Sequence, residues 1–191
     1  MNSERATIEI QGVWKVFGKD PGLVLKAIST RGLSKKEILE YYNAVLGVAD
    51  VSLSISSGEI FCIMGLSGSG KSTLLKALGG LMKPSAGSVY LNGQNMTRIT
   101  GSDLVRLRQE TVSFIFQEGN LLPDLNALDN IAQPLRHSGV RGKEARKRAM
   151  EMLESLGIAD RAYSLPPTLS GGEAKVGEIE ALTTRALLVW V

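Results

Sequence analysis

The sequence predicts an α/β fold on three observations. Residues 59–65, EIFCIMG, are apolar almost without interruption, which is typical of a central strand covered on both faces. Residues 71–84 follow with an apolar stripe at helical spacing that includes Leu74 and Leu78. A glycine-rich loop joins the two segments. Strand, loop and helix in this order form a unit of α/β domains, so we expect a sheet with helices packed against it.

The segments before this unit predict two further strands and one helix. Residues 6–18 alternate in part and predict an opening strand or hairpin, and residues 50–59 alternate as a half-buried strand does. Residues 33–47 predict a helix, because Ser34 and Glu37 have the spacing of a capping box and Gly47 suits the end of a helix.

The segments after this unit continue the α/β pattern and then become helical. Residues 87–95 predict a strand followed by an Asn92-Gly93 turn, 102–110 a short helix and 112–117 another strand. From about 118 to 168 we expect a helical subdomain that includes an amphipathic helix over 143–158. The final residues, 183–191, are apolar and partly β-branched, which predicts one more strand.

Composition narrows the class of protein. The chain has 191 residues, 43% of them hydrophobic, which suffices for a buried core. A net charge of +3 is too small to indicate nucleic-acid binding. Cys62 is the one cysteine and lies in an apolar run, so we expect it in the core, without an internal disulfide. No stretch approaches eighteen apolar residues, so any membrane role is expected to involve a partner.

The loop GLSGSGKST matches Gly-x-x-x-x-Gly-Lys-Ser/Thr between a predicted strand and helix. Its glycines let successive backbone N–H groups point into one cavity, and the helix N-terminus adds its dipole. Lys71 can reach the β- and γ-phosphates of a nucleotide, and the Ser72 hydroxyl can ligate Mg²⁺. The structural alternative is a glycine-rich turn with a chance lysine. The predicted nucleotide-binding residues are Gly65, Ser67, Gly68, Ser69, Gly70, Lys71, Ser72 and Thr73.

Two further motifs narrow the class of nucleotide-binding protein. Gln117 closes a predicted strand, and LSGGE at 169–173 places a serine and two glycines at the start of a helix, a second site suited to anions. With the loop at 65–73, in this order, these motifs resemble the ATP-binding subunit of an ABC transporter. The resemblance covers about residues 7–173 and implies a P-loop core with a mixed sheet and an inserted helical subdomain.

The resemblance assigns roles to individual residues. Phe17 would stack on adenine, although a core phenylalanine on a strand is the alternative. Gln117 would contact Mg²⁺ and the attacking water, so Gln117 and Lys71 are the implied catalytic residues and Ser72 and Gln117 the metal contacts. Ser170, Gly171 and Gly172 would cover ATP held by a second subunit.

The resemblance also implies cofactors, partners and a location. The cofactors would be ATP and Mg²⁺, and the reaction ATP hydrolysis. The partners would be a second ATPase subunit, giving a homodimer, and transmembrane permease subunits, with no nucleic acid. The chain would then lie on the cytoplasmic face of the cell membrane, held there by the permease.

The segment between the first strand and the phosphate loop is similar to that of glycine betaine/proline importers, which carry an extra helical insert, here at about 20–47. Residues 114–131 and LSGGE also resemble the lipoprotein-release and macrolide-export type, which stays open as the alternative. The expected domains are a nucleotide-binding core over 1–117, a helical subdomain over 118–168, and a signature motif leading into a further strand over 169–191.

The family continues beyond this last strand with an Asp-Glu pair that serves Mg²⁺ and the attacking water. The printed chain ends near that point, so we expect an incomplete C-terminus, a truncated or frame-disrupted subunit and doubtful hydrolysis. Other classes stay open: a non-hydrolysing subunit that lends its LSGG motif to an intact partner, and a P-loop ATPase outside transport. ATP affinity without turnover, restored by an intact subunit, would favour the first of these.

Overall fold

The computed structural model describes residues 8–115, 121–172 and 187–190, of which 108–110, 113, 115 and 187–190 are described by backbone alone. The chain divides into two compact units, Met1–Arg108 and Gln109–Val191. The first unit holds β1 (Ile8–Phe17), α1 (Pro21–Arg31), α2 (Lys35–Tyr42), β2 (Val45–Ile55), α3 (Lys71–Leu78), β3 (Ala86–Leu91), β4 (Gln94–Asn95) and most of α4 (Gly101–Thr111). The second holds β5 (Val112–Ile115), α5 (Ala127–His137), α6 (Gly142–Ser155) and β6 (Leu187–Trp190).

The first unit is built on a four-stranded antiparallel sheet with the order β2-β1-β3-β4. The predicted opening strand is confirmed as β1, which pairs on both edges; Ile10, for example, faces Leu53 on β2 and Val89 on β3. The predicted Asn92-Gly93 turn is also confirmed. Both residues have positive φ, 50° and 76°, as a two-residue hairpin turn between β3 and β4 requires.

Two helices cover one end of the β1–β2 pair. The predicted capping box is present at the start of α2, where the Ser34 Oγ accepts from the Glu37 N–H and the Glu37 carboxylate accepts from the Ser34 N–H. Ile38 and Val24, from α2 and α1, are buried with Val16 of β1. This cluster fixes both helices against the strands.

The predicted end of this helix is wrong. The helix stops at Tyr42, with Asn43 in the left-handed region at φ 45°, and Gly47 lies inside β2. The reason is strand pairing. Val45, Leu46 and Val48 take partners on β1, which outweighs the weak local preference for helix.

The predicted central strand at 59–65 is also wrong in this structure, where these residues carry no strand assignment. Ile60 and Met64 are 92% and 91% exposed, and Cys62 is exposed, so the expectation that Cys62 lies in the core is wrong as well. A strand exists only where a neighbouring strand completes its hydrogen bonds. Apolar character alone does not supply that neighbour, and the first unit's sheet does not include this segment.

The second unit contains the helical region and two strands within the segments predicted as strands, 112–117 and 183–191. The apolar C-terminal run forms β6, which pairs in parallel with β5, Val112 facing Leu187. In the helical region, α5 and α6 pack through a core of small and large apolar side chains. Its fully buried members are Ala132, Ala145, Ala149, Leu153 and Ala162. The predicted amphipathic helix is therefore confirmed, with the alanines allowing the two helices to approach closely.

An ion cluster joins α5 to α6. Asp129 on α5 is 9% exposed, and Arg146 on α6 binds it through two bonds, Nε–Oδ1 at 2.9 Å and Nη2–Oδ2 at 2.6 Å. Arg136 adds a third, Nη2–Oδ1 at 2.9 Å. The hydrogen bond from Arg146, helped by Arg136, holds the pKa of Asp129 below its ordinary value despite burial. The carboxylate therefore stays ionised and bridges the two helices.

We expect Asp129→Asn to destabilise the chain by about 2 kcal/mol at neutral pH, because charge-assisted bonds are lost at a buried site. A carboxylate with a lowered folded-state pKa stabilises the fold above its unfolded pKa of about 4, and that stabilisation is lost as pH falls through the folded value. The difference between wild type and variant should thus shrink on acidification. Urea unfolding at several pH values measures it; a difference independent of pH would contradict the role of Asp129.

Glu144→Gln is the matched control, because Glu144 pairs with Arg148 on the exposed face of α6, Nε–Oε1 2.8 Å. Solvent screens such pairs, so we expect the control to change the stability little at any pH.

Candidate functional site

The predicted phosphate loop curls tightly into the start of α3. Ser69 donates its N–H to the Leu66 carbonyl at 3.2 Å, and Gly70 precedes the first helical residue, Lys71. Gly68 and Gly70 have φ values of 75° and 98°, which side-chain-bearing residues rarely adopt. The glycine pattern in the sequence therefore corresponds to a real backbone requirement.

Lys71 occupies the centre of this loop. Its ammonium donates to the carbonyl oxygens of Gly65 at 2.9 Å and Leu66 at 2.7 Å, both on the incoming side of the loop. These bonds hold the loop closed around a positive charge. Phosphate oxygens form stronger, charge-assisted hydrogen bonds with an ammonium group than neutral carbonyls do, so an anionic ligand can replace these carbonyls as acceptors from Lys71.

Strand β2 passes the loop at Gly47 with no space for a side chain at either contact. A Cβ on Gly70 would overlap the Gly47 carbonyl oxygen. A Cβ on Gly47 would lie 2.7 Å from Cε2 of Phe17 and 3.3 Å from Cγ2 of Thr73. Gly47 is thus the point where the predicted adenine-stacking residue and the phosphate loop come together.

Sequence reasoning missed this role and assigned Gly47 to a helix end. The available signal was a glycine inside an otherwise apolar strand pattern, which often marks a close approach of two backbones.

Phe17 is the last residue of β1 and is 40% exposed. It is not a core side chain, which leaves its predicted stacking on adenine as the better of the two interpretations. The Lys15 ammonium lies 5.3 Å from the centre of the ring. An exposed ring beside a phosphate loop presents a flat apolar face for a base.

A cavity of about 380 Å³ lies between β2 and the loop. Its lining combines apolar side chains, among them Leu46, Val48 and Leu74, with Gly65, Ser69, Gly70 and Lys71 of the loop. Lys35, the first residue of α2, also lines it. A cavity of this size with apolar and polar lining residues suits a small polar ligand.

The Ser72 hydroxyl, predicted as a metal ligand, is on an exposed residue, and its hydroxyl bonds no other described residue. Among the described residues, no group of three or more His, Cys, Asp or Glu side chains could hold a metal. In nucleotide sites Mg²⁺ usually takes phosphate oxygens and water for most of its ligands.

The remaining predicted site residues belong to the second unit. Ser170, Gly171 and Gly172 are exposed, with helix assigned at 171 and 172, and a Cβ on either glycine would meet no described atom within 4 Å. Gln117 lies outside the described residues.

A search for membrane-spanning helices in the described parts of the chain found none that is both long enough and apolar enough.

Comparison with known proteins places this site in a family. The profile of the ABC transporter family matches residues 48–189, three quarters of the chain and including the loop. The chain belongs to the ABC transporter family. Two solved structures of the ATP-binding cassette MJ0796, one a dimer bound to ADP and Pi after hydrolysis, match with a TM-score of 0.76. Each is 30% identical in sequence to this chain. The match covers 96% of this chain and 72% of the solved chain. The ABC ATPase fold, with its mixed α/β character, is thereby confirmed.

Several of the relatives are named as ATP-binding proteins of glycine betaine transport systems. The glycine betaine/proline betaine transport ATP-binding protein ProV of Escherichia coli is 40% identical over 176 residues, 92% of this chain. The trimethylamine N-oxide transport ATP-binding protein TmoW of Ruegeria pomeroyi is 42% identical over 166 residues, 87% of this chain. The chain spans 44% of the length of ProV and 48% of that of TmoW.

Proposed function

We propose that this chain binds MgATP as the ATP-binding part of an ABC transporter. The observation that carries the proposal is the loop at 65–70, closed around the Lys71 ammonium and packed at Gly47 against the strand pair that ends in Phe17. The triphosphate would lie on the N–H groups of residues 65–73, and the adenine would stack on Phe17.

The metal would be held mainly by ATP. Ser72 fits as its protein ligand, because its hydroxyl is exposed and bonds no other described residue. When bound, Mg²⁺ neutralises charge on the β- and γ-phosphates. Lys71 would donate to the same phosphates, and Gln117 is proposed to contact the metal and the attacking water.

In the assembled transporter, two such subunits would pair so that Ser170, Gly171 and Gly172 of each cover ATP on the other, with permease subunits as further partners. The dimeric cassettes of the same fold support the pairing.

We propose that the transporter imports glycine betaine or a related compatible solute, and that ATP hydrolysis drives this import. The names of the relatives and the helices α1 and α2 in the predicted insert support this. The domain division at 117 and 168, and the position on the cytoplasmic membrane face, belong to the same proposal.

Lys71→Ala tests ATP binding directly. We expect at least a tenfold loss of affinity for MgATP, since the variant removes the charge at the centre of the loop. Equilibrium titration of the full chain with MgATP measures the loss. Lys76→Ala, in the last turn of the same helix α3, is the matched control and should retain wild-type affinity. Equal affinities in all three proteins would overturn the proposal.

A further inference from the structure

Lys35 lines the cavity beside the loop but has no role in the ATP site as proposed above. It lines the same cavity as Gly65, Ser69, Gly70 and Lys71 of the loop, although thirty residues separate it from the loop in sequence. Its side chain has no hydrogen-bond or ion-pair partner among the described residues. Lys35 is exposed to solvent, so its charge is free to meet a ligand in the cavity that it shares with the loop.

The structure fixes where Lys35 is. It is the first residue of α2, directly after Ser34 and inside the capping box that Ser34 forms with Glu37. One turn later, Ile38 is fully buried against Val16 of β1 and Ala44. The backbone of Lys35 is therefore anchored at both ends of the first turn, so the cavity-facing position is a property of the fold.

Electrostatics favours an anionic ligand. Within the cavity lining, Lys35 and Lys71 are both cations, and the lining contains no acidic residue. Two positive charges on one small cavity repel each other unless an anion separates them. A triphosphate, with several negative charges spread over its length, can take both.

We propose that Lys35 contacts the phosphate chain of the bound nucleotide, as a second cation supplied by the α1–α2 segment. This inference rests on the proposed function of the loop. Lys35 is then a binding and positioning residue that helps to orient the phosphates on the loop, and Lys71 remains the central contact. It would make the helical segment before β2 part of the nucleotide site.

The test compares Lys35→Ala with Lys36→Ala in the full chain. Lys36 is the next residue on α2, is exposed and does not line the cavity. Alanine favours helix at both positions, so the fold of α2 is retained. We expect Lys35→Ala to lower ATP affinity roughly twofold to fivefold, the range for an ion pair near the surface, and Lys36→Ala to leave it unchanged.

Two further readouts separate a phosphate contact from a general structural effect. The loss should grow from adenosine to ADP to ATP, and should diminish in high salt, because a charge contact is screened and scales with phosphate number. Lys35→Arg should restore most of the affinity. Equal losses for adenosine and ATP, or no rescue by arginine, would overturn the inference.

Lys71→Ala distinguishes failure of the proposed ATP-binding function from failure of the proposed role of Lys35. If Lys71→Ala abolishes ATP binding and Lys35→Ala behaves like Lys36→Ala, the proposed function stands and the role of Lys35 is wrong. If Lys71→Ala has no effect, the proposed function itself fails.

Discussion

Gly70→Ala should abolish ATP binding and destabilise the first unit by roughly 3 kcal/mol. Two independent costs add at this position. Gly70 has a φ of 98°, where an L-residue is strained. Its new Cβ would also overlap the carbonyl oxygen of Gly47, whose neighbours Leu46 and Val48 are both paired with β1. The loop would have to move away from β2, and with it the N–H groups proposed to bind phosphate.

Gly68→Ala is the matched control for this prediction. Gly68 has a similar φ of 75°, but a Cβ there would meet no atom of the described residues within 4 Å. We expect about 1 kcal/mol of destabilisation from backbone strain alone, and a smaller loss of ATP affinity than in Gly70→Ala, because the loop keeps its contact with β2. Urea unfolding and ATP titration of both variants measure the difference. Equal effects in the two would show that contact with Gly47 is unimportant.

Asn130→Ala should destabilise the second unit by about 3 kcal/mol, because one buried side chain satisfies several backbone groups. Asn130 is 8% exposed. Its Oδ1 accepts from the Leu122 N–H at 2.7 Å, and its Nδ2 donates to the carbonyls of Leu122, Leu125 and Asn126 at 2.8–3.1 Å. Alanine would remove the side-chain partners of the Leu122 N–H and the Leu125 carbonyl, whereas the carbonyls of Leu122 and Asn126 keep bonds from the N–H groups of Leu125 and Asn130. The loop at 122–126 should therefore also become more accessible to protease.

The neighbouring Asn126→Ala serves as its control. Asn126 caps α5 through one bond, from the Asp129 N–H to its Oδ1 at 2.8 Å. Loss of such a cap costs about 1 kcal/mol. Chemical denaturation and limited proteolysis of the full chain compare the two variants. A smaller effect at Asn130 than at Asn126 would contradict the role given to the buried amide.

Much of the local structure follows from short-range signals. The capping box at Ser34 and Glu37, the Asn92-Gly93 turn and the amphipathic α6 were all predicted and all are present. Each depends on residues within a few positions of one another, whose hydrogen bonds or φ preferences act locally. The glycine and lysine pattern of the phosphate loop is of the same kind, because its curl closes within Gly65–Lys71.

The errors come from partners distant in sequence. Residues 59–65 have the composition of a buried strand, yet Ile60 and Met64 are almost fully exposed, because a strand also needs a paired neighbour. The predicted helix over 33–47 includes residues 45–47, which lie in β2 instead, where Val45 and Leu46 pair with β1. Propensity and periodicity describe one segment at a time, whereas pairing energy depends on two.

The sequence by itself determined the family, through a resemblance that the comparisons confirmed, and it predicted the chemistry of the site, a phosphate loop with Lys71 and Ser72. Only the tertiary structure decided its geometry. Gly47 brings Phe17 and Thr73 beside the loop, and α2 places Lys35 on the same cavity. Both facts depend on close approaches between residues far apart in the chain. Such approaches are set by packing and strand register, which local sequence patterns do not encode.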